Sequence, residues 1–205
     1  WLMYMSDISS EKNTSIIYSS DQAFNSLYTG NVFEAASKHW TPVEVAVKAA
    51  SFLATYSGVK ILDIGSGAGK FCLVAAHHSP RAYFTGIEQR EYLVTMCNKL
   101  KKDLHLTNVT FFHKNMTDED FSAYNNFYFY NSFYENKTGT QKIDYEVRYD
   151  EKLYDYYNLV LYKKLQKLPA GTRIVTYHSL GIEMPPGYEI VNSEFADFLK
   201  FWVKL

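Results

Sequence analysis

A chain of 205 residues is one domain, or one domain with an appendage, and can bury a substantial core. A formal net charge of −1 excludes wholesale electrostatic binding of nucleic acid and leaves room only for a local basic patch. Cys72 and Cys97 belong to no CxxC motif or even-numbered framework, so they read as reduced core residues. The opening Trp1-Leu2-Met3-Tyr4-Met5 turns polar at once and is too short for a signal peptide or a membrane span, which makes the cytoplasm the expected location.

Residues 1–57 read as a helical N-terminal cover. Gln22–Tyr28 is a short helix candidate stopped by Gly30, and a second helix starts at Asn31. The third carries a capping signature, with Thr41 as N-cap, Pro42 at N1 and Glu44 at N3. It runs on to Ser57-Gly58.

Ile61–Ile64 then reads as a buried strand, followed by a glycine-rich turn and an apolar helix from Phe71. Glycine removes the Cβ that would block a ligand, and the helix start offers free N–H groups. A nucleoside-triphosphate loop fails here, because Ile64 replaces its first Gly and Phe71 follows Lys70. A dinucleotide fingerprint fails because Lys70 takes its last Gly. What stands is D-x-G-x-G-x-G from Asp63 to Gly69. A valine at Gly67 is expected to fill ligand space with little loss of fold.

A second strand, Tyr83–Ile87, runs into Glu88, whose carboxylate can accept from two hydroxyls at once. An amphipathic helix follows, with Leu93, Met96, Cys97, Leu100 and Leu104 at helical spacing. Asn108–Phe112 is a third strand leading to Asn115-Met116, and Asn126–Tyr130 a fourth leading to Asn131-Ser132-Phe133-Tyr134. After a polar loop comes a long helix with Leu153, Tyr157, Leu161, Leu165 and Leu168 inward. Thr172–His178 is a fifth strand. Tyr188–Val191 and Leu199–Leu205 read as a closing antiparallel pair, the last strand setting Leu199, Phe201, Val203 and Leu205 against Lys200, Trp202 and Lys204. The 18 Tyr and 14 Phe read as half-buried packing, since few basic residues interleave them as a base-stacking surface would need. The histidines are scattered, so no metal site is expected.

The Asp63–Gly69 turn with Glu88 resembles the first motif of the class I S-adenosylmethionine (SAM) dependent methyltransferases, and the likeness covers about residues 58–205. It implies an α/β fold: a Rossmann-like, doubly wound, mostly parallel seven-stranded sheet with a C-terminal antiparallel hairpin and a helical N-terminal extension. It implies SAM as cofactor, with Asp63, Gly65, Ser66, Gly67 and Gly69 around its methionine part and Glu88 on the ribose hydroxyls. Asn115 would read the adenine amino group, Met116 would pack the ring, and Thr41 of the Thr41-Pro42 pair would help cover the cofactor. Asn131–Tyr134 is similar to the [DN]-P-P-[YF] run of amino-group methyltransferases, both prolines being absent, and to the Asn-Asn-Phe stretch of non-SET histone-lysine methyltransferases. By that likeness Asn131 is catalytic, aiming a nitrogen lone pair, and Phe133 and Tyr134 pack the acceptor. The acceptor implied is an amino nitrogen on a protein side chain or a nucleic-acid base, with its identity, whether protein, nucleic acid or small molecule, left open. No membrane partner is expected. Two rivals stand beside this reading: an NAD(P)-dependent oxidoreductase, whose ribose Glu88 would suit equally, and a non-catalytic SAM-binding protein.

Overall fold

The computed structural model describes residues 16–205; the first fifteen residues of the expected 1–57 cover, with the Trp1–Met5 opening, lie outside the described residues. Among the described residues the sheet is preceded by helices α1 (Asp21–Asn25), α2 (Gly30–His39) and α3 (Val43–Leu53). Ser20 starts α1 by accepting the Ala23 N–H at 3.1 Å. Gly30 opens α2 at φ 53° where a stop was expected. The capping signature of α3 is not used: Pro42 is the N-cap residue and makes no side-chain bond. Thr41 is buried, with its hydroxyl 3.0 Å from the Tyr128 hydroxyl. The free Val43 N–H is met by Asp21 Oδ1 of α1 at 2.8 Å, a charge-assisted bond that a local hydroxyl does not match. The helix also ends at Leu53, short of the expected Ser57-Gly58.

The sheet comprises β1 (Lys60–Ile64), β2 (Tyr83–Glu88), β3 (Val109–His113), β4 (Asn126–Phe129), β5 (Arg173–Tyr177), β6 (Tyr188–Glu194) and β7 (Leu199–Lys204), in the order β3-β2-β1-β4-β5-β7-β6. The first five strands are parallel, and β7 is antiparallel to both β5 and β6. This is the doubly wound, mostly parallel seven-stranded sheet with a closing hairpin that the motif order implied. Helices α4 (Lys70–His78), α5 (Glu91–Asp103) and α6 (Glu151–Gln166) complete it. From β1 the chain winds outward through β2 to β3, then returns to lay β4 on the other side of β1, with Asp63 opposite Tyr128. That reversal opens a crevice at the C-terminal ends of β1 and β4, where open α/β sheets bind ligands.

Both faces of the sheet are covered, so its central strands are continuously apolar rather than alternating. Ile61, Phe84, Tyr128 and Val175 pack with α3, α4 and α5. Leu62, Ile64, Phe127, Phe129 and Ile174 pack with α6. Trp202, on the same strand face as Lys200 and Lys204, is buried in the second cluster and donates its indole N–H to Thr176 Oγ1 at 2.9 Å. A hairpin strand inserted beside β5 has no solvent face at that position. On α6 the buried line is Tyr154, Asn158, Leu161 and Leu165, while Leu153 and Tyr157 are only half-buried. Among the described residues no helix is long and apolar enough to cross a membrane.

Candidate functional site

The ends of β1 to β5 converge on one cleft of about 800 Å³, inside the range of small-molecule sites. Its floor is the glycine turn after β1. Gly65, Gly67 and Gly69 hold φ values of 74°, 52° and 73°, a left-handed region that side chains disfavour. Each absent Cβ also faces protein. One at Gly65 would lie 2.5 Å from Ser132 Cβ, one at Gly67 2.6 Å from the Trp40 ring, and one at Gly69 2.7 Å from Cys97 Sγ. Asp63, Gly65, Ser66 and Gly67 line the cleft. Gly69 does not; it caps α4 from behind, wedged between α5 and β3, which corrects its placement among ligand-facing residues.

The N-terminal helices latch onto this turn. Tyr28 donates its hydroxyl proton to the Ala68 carbonyl at 3.0 Å, and the Trp40 ring lies over Gly67. Lys70, the cation that a phosphate loop would present, instead donates to Asp21 at 2.5 Å and Asn25 at 2.8 Å on α1.

Two polar groups of the floor are buried without adequate partners among the described residues. Ser66 Oγ has none, an arrangement that costs about 1–3 kcal/mol unless a ligand or water meets it. The Asp63 carboxyl has only the Cys72 thiol at 3.4 Å, and burial, aided by the Glu88 charge, pushes its pKa up to about 8. The folded chain therefore holds a proton at Asp63 that the unfolded chain releases near pH 4. This contribution to stability is complete below about pH 4 and is lost as pH rises through 8, at up to roughly 1.4 kcal/mol per pH unit. Asp63→Asn should flatten that decline, so thermal melts at pH 5 and pH 7.5 should differ less in the variant than in wild type. Parallel pH dependence in the two proteins would overturn this account of Asp63.

Glu88 ends β2, is buried and lines the cleft. Its Oε2 accepts the Gly67 N–H at 3.0 Å. Its Oε1 accepts the Arg90 N–H at 3.0 Å and Arg90 Nη1–H at 3.3 Å. Three of roughly four acceptor positions are thus filled. The expectation that Glu88 serves two hydroxyls at once is therefore narrowed to one, unless Arg90 gives way. Burial raises the Glu88 pKa, and the Arg90 charge opposes that rise.

After β3, Asn115 and Met116 line the cleft. The Asn115 carbonyl oxygen already accepts the Thr117 N–H and hydroxyl, both at 3.0 Å, and its amide donates to the Tyr157 hydroxyl at 3.1 Å. Met116 is buried beside it.

After β4, Asn131 sits at φ 38°, a conformation Asn tolerates better than most residues. Its side chain makes no hydrogen bond to the described residues and opens on the cleft. Ser132 donates to the Ile64 carbonyl at 2.7 Å, tying this end of β4 to the turn. Phe133 lines the cleft but is buried against Phe129 and Tyr157 at centroid distances of 5.0 and 5.4 Å. It belongs to the core as much as to the site. Tyr134 stands at the lip, 43% exposed. Thr41 also reaches the cleft wall.

Trp40, Arg90, Ser132 and His178 also line the cleft and were not singled out as site residues. Arg90 follows Glu88 by two positions, a proximity that could have marked it as a partner. His178, at φ 51° just past β5, carries no sequence signal. Burial lowers its pKa, and its ring stacks on Phe198 with centroids 4.4 Å apart. Among the described residues no group of three His, Cys, Asp or Glu side chains could hold a metal ion.

Comparison with known proteins agrees with this fold. The family model described as "Methyltransferase domain" matches residues 56–145. A tRNA (guanine-N(7)-)-methyltransferase of Prochlorococcus marinus (strain NATL2A) is 44% identical over 55 residues, 27% of this chain and 26% of that protein. The chain thus matches about a quarter of the length of such curated relatives. Among solved structures, TrmN from Thermus thermophilus superposes with a TM-score of 0.56 at 14% identity, covering 84% of this chain and 52% of that one. An RNA methyltransferase from Salinibacter ruber, solved with S-adenosyl-L-homocysteine, gives 0.52 at 20% identity, covering 78% and 88%. At these identities the structural likeness is one of fold.

Proposed function

We propose, from the premise that this chain carries a methyltransferase domain on the class I fold, that it is a SAM-dependent methyltransferase acting on an amino nitrogen. The observation that carries the reading is the floor of the cleft: a left-handed glycine turn flanked by the unpartnered Ser66 hydroxyl and the scarcely partnered Asp63 carboxyl. A buried acid with a raised pKa and a buried hydroxyl with no partner both await a ligand that brings donors and positive charge. SAM, with its ammonium, sulfonium and ribose hydroxyls, has that chemistry. Asp63, Gly65, Ser66 and Gly67 would hold its methionine part, Glu88 would accept one ribose hydroxyl, and Asn115, Met116 and Thr41 would wall the remainder. When bound, the cofactor supplies an electrophilic methyl group.

The acceptor nitrogen attacks that methyl in line, so orientation provides much of the rate. Asn131 has an unengaged amide at the right strand end, and its carbonyl oxygen would accept a proton of the nitrogen and aim its lone pair. Tyr134 would cover the acceptor at the lip. The partial relatives act, by name, on guanine N7, a ring nitrogen that accepts hydrogen bonds rather than donating them. It would need no such acceptor, so the Asn131 test in the Discussion separates the two acceptor types. Lys70, Arg90 and Lys114 along the cleft are paired with carboxylates, and Lys38 is the one cleft-lining lysine without an ion pair among the described residues; so sparse a free basic lining favours an acceptor that is not a polyanion. Residues 1–57 would act as a cover and 58–205 as the cofactor-binding domain, a division supported by the contacts of Tyr28 and Trp40 with the turn. Two buried, unbridged cysteines favour a cytoplasmic setting.

Calorimetric titration with SAM, S-adenosylhomocysteine (SAH) and NAD tests the cofactor. Both adenosyl compounds should bind, and Glu88→Gln should weaken both alike by roughly 1–3 kcal/mol, since they share the ribose. A loss confined to SAM would mean that Glu88 senses the sulfonium. Preferential binding of NAD would overturn the reading in favour of an oxidoreductase. SAM binding with no labelled methyl transferred to a cell extract would leave a binding protein without catalysis.

A further inference from the structure

The connection from Asn131 to Asp150 holds no α-helix or strand and only a single turn of 3-10 helix, Tyr134–Asn136. It nevertheless forms one wall of the cleft, through Tyr134, Glu135, Gly139, Thr140 and Ile143. Tyr92 donates to its Asp144 at 2.5 Å and Glu151 accepts its Thr138 N–H at 3.1 Å, but the side chain from outside that gathers most of it is Arg90. The Arg90 guanidinium, 3% exposed, donates to Glu135 at 2.5 Å, to Asp144 at 2.9 Å and to the Tyr149 hydroxyl at 2.7 Å, while its Nη1 reaches Glu88 at 3.3 Å. Tyr149 closes the cluster by donating to Glu135 at 3.0 Å. Three carboxylates therefore share one guanidinium, and the longest of its bonds is the one to Glu88.

We propose that Arg90 is a positioning residue that couples the ribose-binding carboxylate to the 135–149 strap, so that occupancy of Glu88 by a ribose hydroxyl and closure of the cleft wall are one event. The proposal rests on Glu88 meeting the ribose. One ribose hydroxyl can take the acceptor position that Glu88 has open, and the second can take the position held by the long Nη1 bond, which leaves the guanidinium fully committed to Glu135, Asp144 and Tyr149. Conversely, a strap that pulls Arg90 into place orients the Glu88 carboxylate through the remaining N–H bonds. Buried charge networks of this kind act as units, because each member's geometry depends on the others being present. Asp144 and Tyr149 lie outside the cleft lining, so they act on the ligand only through partners that reach the cleft: Arg90, and for Tyr149 also Glu135.

The test compares wild type with Arg90→Lys and Tyr149→Phe, using SAH, adenosine and 2′,3′-dideoxyadenosine as probes. A lysine keeps the charge and loses the fork that reaches four partners. SAH affinity should fall by about tenfold or more in Arg90→Lys and by roughly threefold in Tyr149→Phe, as expected for losing charge-assisted bonds. The decisive readout is the preference for adenosine over its dideoxy analogue. It should be clear in wild type and collapse in both variants, whereas a merely structural loss would lower both affinities together. Hydrogen exchange at residues 135–149 should slow on SAH addition in wild type and respond less in Tyr149→Phe. An unchanged hydroxyl preference in the variants, with SAH still bound, would overturn the coupling alone. Failure of wild type to bind SAH would sink the cofactor reading and this proposal with it.

Discussion

Gly67→Val is expected to abolish SAH binding and to lower the melting temperature by roughly 10 °C, a loss of a few kcal/mol in a chain of this size. Two costs add. The residue sits at φ 52°, where a β-branched side chain is strained by roughly 1–3 kcal/mol. Its Cβ would also stand 2.6 Å from the Trp40 ring, so the indole must leave a pocket in which it is buried and donates to the Val32 carbonyl at 2.9 Å. The expectation from sequence, that valine would fill ligand space and spare the fold, is thereby revised: the added atoms meet the N-terminal cover first. A double-mutant cycle with Gly67→Ala and Trp40→Ala checks this by denaturant melts. The glycine substitution should cost less once the ring is gone, because the two residues touch. Strictly additive costs would show that Trp40 is not what excludes a side chain at this turn.

Loss of the Asn131 amide is expected to cut methyl transfer by ~10²-fold, the scale of lost positioning, equivalent to about 2.7 kcal/mol on the barrier. The positive φ of Asn131 makes alanine a poor probe, since it would add backbone strain to the loss of the amide. Asn131→Gly keeps the backbone conformation and removes only the side chain. Asn131→Asp keeps an accepting oxygen. Initial rates of labelled methyl transfer from SAM into a cell extract should therefore rank wild type above Asp and Asp well above Gly, with SAH affinity nearly constant across the three. An unchanged rate in Asn131→Gly would remove Asn131 from the active site and favour an acceptor nitrogen that carries no proton. Phe133 is a less informative target than the motif suggested. It is buried against Phe129 and Tyr157, so Phe133→Ala should lose about 3–5 kcal/mol of stability before any effect on an acceptor is read.

The order of strands and helices was legible in the sequence because each signal was local. Apolar runs bounded by turn residues marked β1 to β5, amphipathic spacing marked α5, and the D-x-G-x-G-x-G turn with Glu88 marked where the crevice would open. Those features depend on the backbone and on near neighbours, which is where sequence patterns carry most information. Only the tertiary structure decided which partner each polar group would take. Thr41 gave up its capping role because Tyr128 lay within reach in the buried core, and Asp21, 22 positions upstream of Val43, supplied the cap. Three turn glycines turned out to be required by Trp40, Ser132 and Cys97 as well as by any ligand. Arg90 became the centre of a charge cluster drawn from residues 45 to 59 positions away. A hydrogen bond or a forbidden Cβ contact is fixed by distances of a few tenths of an ångström between segments remote in sequence. No local pattern encodes those distances, and they exist only once the sheet has brought the segments together.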